Sequence, residues 1–315
     1  MLLGDVQIPE SLLSAQEAGR LVIFTGAGIS VAEPSGLPGF LGLTKLIAST
    51  VKFELDPDTV DWRDKLDTFM GVLDDDDAVD VHQLVRGIVS TPASLPNANH
   101  RALAQIASTS TARVVTTNYD LHLEAALSEV GTTHNVYRAP ALPLGQDFDG
   151  LVYLHGTADD IPRHLIITDR DFGRAYLRDA WAARFLERMF SSYTVLFVGY
   201  SHTDIVMKYL GLGLGRNSER YALTTNPRDP IWRRLRVTAI GYTKGEAHEG
   251  LTKCLTAWAE LGDMGLLEHR QRIKDLVSEP ADPTPSELSY LQESIQRDDR
   301  VRFFTEFARD KYWLL

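Results

Sequence analysis

The stretch Leu21-Val-Ile-Phe-Thr-Gly-Ala-Gly-Ile-Ser30 decides how the chain is read. Leu21 to Phe24 form an unbroken apolar run with β-branched members, the pattern of a strand covered on both faces in a parallel sheet. Gly26 and Gly28 then let the backbone turn sharply and present its N–H groups to a phosphate, an effect that a following helix N-terminus would reinforce. Ser30 stands where it caps that helix or donates to the same ligand. A strand, a glycine turn and a helix also occur with no ligand at all, so the reading depends on what the rest of the chain adds.

The additions are strands with similar endings. Arg113 to Thr117 reads as a strand that ends in Thr116-Thr-Asn-Tyr-Asp120. Leu151 to Leu154 ends in His155-Gly156, Thr194-Val-Leu-Phe-Val-Gly-Tyr-Ser201 ends in glycine and serine, and Tyr221-Ala-Leu-Thr-Thr-Asn226 ends in hydroxyls and an amide. Between these runs lie helical patterns. Leu43 to Phe53, Thr59 to Leu73 and Ala78 to Ser90 form a helical insertion after the first strand, about residues 41–110, and Asp169 to Ser191 is one long helix. The four carboxylates Asp74 to Asp77 read as a solvated helix start rather than a metal site. Alternation of helix and buried strand predicts an α/β protein with a Rossmann-like, doubly wound parallel sheet.

In such sheets ligands sit at the carboxyl ends of the strands. Asn118 is therefore placed where a site would be, although an amide there also serves as a turn residue, and Asp120 reads equally well as the N-cap of the next helix. His155, at a strand end beside a glycine that leaves space, is a candidate general base or hydroxyl acceptor, against the plain alternative of a structural histidine.

Composition narrows the function. The chain has 315 residues, 44% apolar and 24% charged, an ordinary globular balance with room for one large domain and an appendage. No stretch approaches the roughly 18 consecutive apolar residues of a membrane span, and Met1 to Glu10 lacks a basic leader, so a cytoplasmic protein without a membrane partner is expected. Cys254 is the single cysteine, which excludes an internal disulfide and a four-cysteine zinc site. A formal net charge of -11 argues against broad contact with nucleic acid. No Gly-x-x-x-x-Gly-Lys-Ser/Thr motif is present, so a P-loop nucleotidase is not supported.

Taken in order, Gly26-Ala-Gly-Ile-Ser30, Thr117-Asn118 with Asp120, His155-Gly156, Gly199-Tyr-Ser201 and Asn226 resemble the sirtuin NAD-binding domain. The nearest likeness is to the sirtuin-like NAD hydrolases of bacterial antiphage defence, with their Thr-x-Asn-Tyr-Asp, His-Gly and Gly-Tyr-Ser-x-x-Asp motifs; the last reads Gly199-Tyr-Ser-His-Thr-Asp204 here. The resemblance covers about Leu21 to Lys244. It implies an NAD glycohydrolase with NAD as substrate and no zinc, in which Asn118 positions the attacking water or the ribose hydroxyls and His155 accepts a proton. It also implies that Gly26, Ala27, Gly28 and Ser30 cradle phosphate, that Thr117 and Asp120 bind the cofactor, Asp120 by orienting Asn118 or a ribose hydroxyl, and that Gly199, Ser201 and Asn226 hold the adenosine side. Zinc-bearing protein deacylases of the family carry two cysteine pairs that this chain lacks, and a Pro-Asp-Phe-Arg loop that here reads Pro38-Gly-Phe-Leu41, which counts against acylated peptide substrates. A non-catalytic module binding NAD or ADP-ribose stays as the other reading. Regulation is implied too, by homo-oligomer assembly and by an activating phage protein or C-terminal sensor region.

The catalytic domain is expected to span 1–278, with helices from Gly245 to Ser278 broken near Gly262 to Gly265, and a stiff linker over 279–287. Thr284-Pro-Ser-Glu287 has the form of a capped helix start. A helical C-terminal region over 288–315 carries apolar stripes at Leu288, Leu291 and Ile295, then Phe303, Phe304, Phe307 and Ala308, and is expected to be the start of a longer polypeptide.

Overall fold

The computed structural model describes residues 1–109, 113–131, 133–200, 219–278 and 283–308. It opens with a short hairpin, β1 (Leu2–Leu3) and β2 (Val6–Gln7), followed by α1 (Glu10–Glu17) and β3 (Leu21–Thr25). Then come α2 (Phe40–Thr50), α3 (Leu66–Asp74), α4 (Val81–Val89), α5 (Ala98–Thr109), β4 (Arg113–Thr116), α6 (His122–Glu129), β5 (Val136–Arg138) and β6 (Leu151–Tyr153). The chain continues through α7 (Asp169–Phe172), a π-helical segment Gly173–Arg178, α8 (Trp181–Ser192), β7 (Thr194–Val198), β8 (Arg220–Thr224), α9 (Pro230–Leu235) and β9 (Thr238–Gly241). It closes with α10 (Glu249–Asp263), α11 (Leu266–Ser278), α12 (Pro285–Gln296) and α13 (Val301–Phe307).

Seven strands form one parallel sheet in the order β5-β6-β4-β3-β7-β8-β9. The expected α/β, doubly wound Rossmann-like fold is therefore what forms, with β3 at the centre. All five residues of β3, and of β7 beside it, are buried, as a strand covered on both faces requires. One face packs α5, α6 and α10 around Leu103, Ile106, Leu127, Leu255 and Trp258. The other packs α8 and α9 around Phe24, Phe185, Phe190, Phe197 and Trp232. From β3 the chain first builds toward β4 and then returns to β7 on the other side, so the crevice between the carboxyl ends of β3 and β7 is the switch point where such sheets bind ligands.

Several local expectations change. After the glycine turn there is no α-helix: Ala27–Ser30 is a single 3₁₀ turn without a side-chain cap, and the next helix begins only at Phe40. Ser30 thus does not cap a helix. Thr59 to Lys65 forms turns rather than the start of α3. Asp74 ends α3 and Asp75 to Asp77 follow it, so the acidic run stands at a helix end and not at a helix start. The helix expected over 169–191 is divided, because Ala180 takes a left-handed conformation (φ 53°) between the π-helical segment and α8. In the insertion, α2, α3 and α4 share their own cluster of Leu43, Ile47, Phe69, Met70 and Val85, whereas α5 belongs to the sheet.

The break between α10 and α11 falls at Met264-Gly265. Thr284 caps α12 in a full capping box with Glu287, so helix begins at Pro285 and takes in the last residues of the expected linker. Only Leu291 of its expected stripe is buried; Leu288 and Ile295 are exposed while Tyr290 turns inward. The C-terminal helices lie on the N-terminal hairpin: Leu2 N–H donates to Ser289 Oγ at 2.8 Å, and Ser286 Oγ donates to the Gly4 carbonyl at 2.9 Å. Among the described residues no helix is long and apolar enough to cross a membrane.

Candidate functional site

Two adjoining cavities lie along the carboxyl edge of the sheet. The larger, about 440 Å³, is lined by Ala27, Gly28, Gly199, Thr224, Asn226 and Tyr242 among others. The smaller, about 90 Å³, is lined by Ser30, Thr117, Asn118, Asp120, His155 and Phe172 among others. Ala27, Phe40 and Tyr200 line both and mark the passage between them. Residues widely separated in sequence are thereby gathered into one cleft. Ser201 lies outside the described residues.

At the switch point, backbone meets backbone. Gly28 N–H donates to the Gly199 carbonyl at 2.9 Å, and a Cβ on Gly28 would stand 2.7 Å from that oxygen. Gly199 has φ +74°, and a Cβ there would stand 2.7 Å from the Ile29 nitrogen. Only glycine fits at either position. Gly26 lines neither cavity, because the Tyr200 ring covers it, 2.9 Å from where its Cβ would be. Tyr200 Oη donates to the Thr25 carbonyl at 3.0 Å and lies 2.5 Å from Thr117 Oγ1, tying the ends of β3 and β4.

The smaller cavity rests on a buried polar network. Asn97 N–H donates to His100 Nδ1 at 3.1 Å, so the neutral ring carries its proton on Nε2, 3.1 Å from Ser30 Oγ. Ser30 Oγ donates to Asp120 Oδ2 at 2.9 Å and accepts from Asn118 Nδ2 at 3.1 Å. With one proton given and two accepted, the Ser30 hydroxyl is saturated from within, in the floor of the site. Asp120 Oδ1 takes the His122 N–H at the start of α6, but the N-cap position belongs to Leu121, so Asp120 ties the helix start to Ser30 without being the expected N-cap. This wiring turns the Asn118 amide nitrogen inward and leaves Oδ1 buried without a hydrogen-bond partner, on a side chain that lines the cavity. An unmet buried acceptor costs about 1–3 kcal/mol, and a ligand hydroxyl or water would satisfy it.

His155 stands across the cavity, 3% exposed, with Nε2 2.8 Å from Tyr176 Oη. Its ring meets Phe172 edge-on at 5.2 Å and Tyr176 at 6.0 Å. Burial lowers its pKa to about 3, and lowers that of His100 to about 3 with help from His122 and Arg101, so both are neutral near pH 7. Burial also pushes the Tyr176 phenol upward and raises the Asp120 carboxyl, the latter against the opposing pull of His122 and the Ser30 hydrogen bond.

Sequence reading missed several of these parts. Tyr200 sits inside a quoted motif, and its aromatic ring beside Gly199 is the available signal. Phe40 lies on both cavities and belongs to the quoted loop Pro38-Gly-Phe-Leu41, whereas the pair Tyr242–His248, joined at 2.7 Å between Oη and Nδ1, lies on the larger cavity with no motif around it. Tyr176 lies in the π-helical segment, a deformation common at functional sites that sequence periodicity does not reveal.

Residues 112–240 match the model of the SIR2-like domain. The chain is similar to an NAD(+) hydrolase, ThsA, of Cytobacillus dafuensis (29% identical, covering 65% of this chain and 40% of that protein) and to the uncharacterized protein y4cA of Sinorhizobium fredii (26% identical, covering 97% and 28%). The chain therefore spans well under half the length of either relative. A solved Sir2 enzyme structure aligns over 81% of this chain and 97% of its own, at 14% identity and a TM-score of 0.40.

Proposed function

We propose that this chain is an NAD glycohydrolase that cleaves the bond between nicotinamide and ribose, releasing nicotinamide and ADP-ribose. The observation that carries the reading is the unmet Asn118 Oδ1 in the small cavity, held in place by Ser30 and facing a site shared with His155. The small cavity would take the nicotinamide ribose, and the glycine-lined cavity beside it the diphosphate and adenosine. The leaving group departs neutral from a cation through an oxocarbenium-like transition state, as in glycoside hydrolysis. What the protein must supply is position and a controlled nucleophile. Asn118 Oδ1 would accept from the attacking water or a ribose hydroxyl. For His155 to accept a proton, Nε2–H must donate to Tyr176 Oη, which leaves Nδ1 as the acceptor.

The similarity to a named NAD(+) hydrolase supports the substrate, and the resemblance to antiphage effectors extends the proposal to NAD depletion in a defence role, with oligomer assembly and an activating partner or sensor region. The test is nicotinamide release from NAD over a series of protein concentrations, with Asn118→Ala and His155→Ala alongside. Turnover in the parent, lost in both variants, is the expected result, and a steep concentration dependence would add assembly. NAD binding without turnover, even in a longer chain with its activator, would replace the hydrolase with a binding module.

A further inference from the structure

A second polar cluster lies away from the cleft, where the end of α3 and the start of α4 meet α7. His82 is 2% exposed, and its Nε2 lies 2.8 Å from Asp171 Oδ2, an oxygen that also accepts from Ile167 N–H, Thr168 N–H and Thr168 Oγ1. An oxygen so crowded with donors has no proton to give, so Nε2 carries a ring proton, and in the neutral ring Nδ1 presents a lone pair. That Nδ1 is buried and has no hydrogen-bond partner. It faces Asp74 Oδ1 across 3.7 Å, and this oxygen too is buried without a hydrogen-bond partner. Two acceptors directed at each other across a gap too long for a hydrogen bond leave both uncompensated. A carboxylate atom of Asp80 completes a trio whose ligand atoms all lie within 4.8 Å of one another.

Against the expectation of a solvated acidic run and a zinc-free chain, we propose that His82 Nδ1, Asp74 and Asp80 hold a divalent cation of the zinc class, with water completing the shell. Metal–ligand bonds of about 2.0–2.1 Å in a tetrahedral site separate ligand atoms by roughly 3.3 Å, so the 3.7 Å gap closes with little movement. Asp171 supplies the carboxylate behind the imidazole that commonly orients a metal-bound histidine. The remaining oxygens are already placed: Asp74 Oδ2 pairs with Arg163 at 3.1 Å, and Asp80 Oδ1 accepts the Gln83 N–H that starts α4. Asp80 Oδ2 is 3.9 Å from the same Arg163, which can yield it to a cation while keeping Asp74 Oδ2. The imidazole selects the borderline metals over magnesium or calcium, which prefer an all-oxygen shell. The cation would join the end of α3 to the start of α4 and so fix His82, whose hydrogen bond to Asp171 holds the arm Asp171–Tyr176 that steadies His155. Its occupancy does not depend on what the small cavity turns over.

The test is a titration of the chelator-treated, dialysed chain with Zn²⁺ alone, in competition with a chromogenic chelator, repeated with Co²⁺ to read its visible absorption. Asp74→Asn and Asp80→Asn are the variants. The amide at position 80 can still accept the Gln83 N–H, so α4 keeps its cap, and circular dichroism checks that the fold is retained. About one zinc per chain is expected, with visible Co²⁺ bands, at least tenfold weaker binding in each variant and no competition from a hundredfold excess of Mg²⁺. Failure of the folded parent to bind zinc, binding unchanged in both folded variants, or displacement by Mg²⁺ would each overturn the proposal.

Discussion

The two ends of the cleft are built from different material. Around the small cavity, side chains hold side chains: His100, Ser30, Asp120 and Asn118 form one chain of hydrogen bonds, and Tyr176 holds His155. Around the large cavity, the decisive contacts are backbone to backbone, where Gly28 meets Gly199, and its polar side chains include the exposed Asn226. A side-chain network fixes the direction of each donor, which chemistry requires, whereas close backbone approach opens room for a phosphate-bearing chain while spending the expected phosphate donor, the Gly28 N–H, on the Gly199 carbonyl. Substitutions at the first end should therefore act on turnover, and at the second on stability or affinity.

The largest effect is expected at Asn118. Asn118→Ala removes the unmet acceptor and the bond to Ser30, and should lower kcat for nicotinamide release by roughly 10²–10⁴-fold with little change in KM. Ser30→Ala leaves the Asn118 carbonyl in place but frees its orientation, so a smaller kcat loss of about 10-fold is expected from the same assay. Equal losses in both variants would make orientation the whole of the Asn118 contribution.

At the backbone-built end the comparable change is structural. Gly199→Ala forces a Cβ against Ile29 N in a left-handed conformation, and should destabilise the fold by roughly 2–4 kcal/mol, read as a lower denaturation midpoint in urea. A stable Gly199→Ala protein with unchanged KM would break the claim that the switch point depends on that contact.

What could be read in advance follows the same division. The side-chain end is visible as letters: Asn118, Asp120, His155 and Ser30 are polar residues at the ends of apolar runs and stand out against their surroundings. Their wiring is not visible. Ser30 was expected on phosphate or at a helix cap, and the structure gives its proton to Asp120, since no α-helix follows the turn. Gly26 was expected to approach phosphate, whereas its missing Cβ makes room for Tyr200. Both differences arise from contacts between residues 90 and 174 positions apart, which local pattern cannot encode. The sheet was legible because its central strands are continuous apolar runs. Strand β5, three half-buried residues Val136–Arg138 at the sheet edge, carried no such run.

Burial of histidines on the side-chain end has a consequence for pH. His155 has a pKa of about 3 in the folded chain against about 6.5 when unfolded, so between these values the unfolded state binds the extra proton. The stability tied to its neutral ring is fully present above pH 6.5 and is lost as pH falls below it, by about 1.4 kcal/mol per pH unit. Other groups titrate in the same range, so the useful quantity is a difference. Between pH 7 and pH 5 the parent should lose about 2 kcal/mol more unfolding free energy than His155→Gln, measured by urea denaturation. An equal loss in both would mean that the His155 ring is solvated in the folded state.

The smallest effect belongs to Asn226. Its side chain is exposed on the larger cavity, while its backbone carbonyl is engaged by Trp232 Nε1 at 3.0 Å and its N–H by Thr224 Oγ1 at 3.2 Å. Those backbone bonds survive truncation of the side chain, so Asn226→Ala should leave stability unchanged. One hydrogen bond to a ligand from a solvent-open position is worth about 0.5–1.5 kcal/mol, which corresponds to a rise in KM of roughly 2–10-fold at unchanged kcat. Such a rise would distinguish binding shared by ground state and transition state from the positioning expected of Asn118. If Asn226→Ala instead lowered kcat as far as Asn118→Ala does, binding energy from the far end would be driving the chemistry at the near one, and the cleft would have to be treated as one unit.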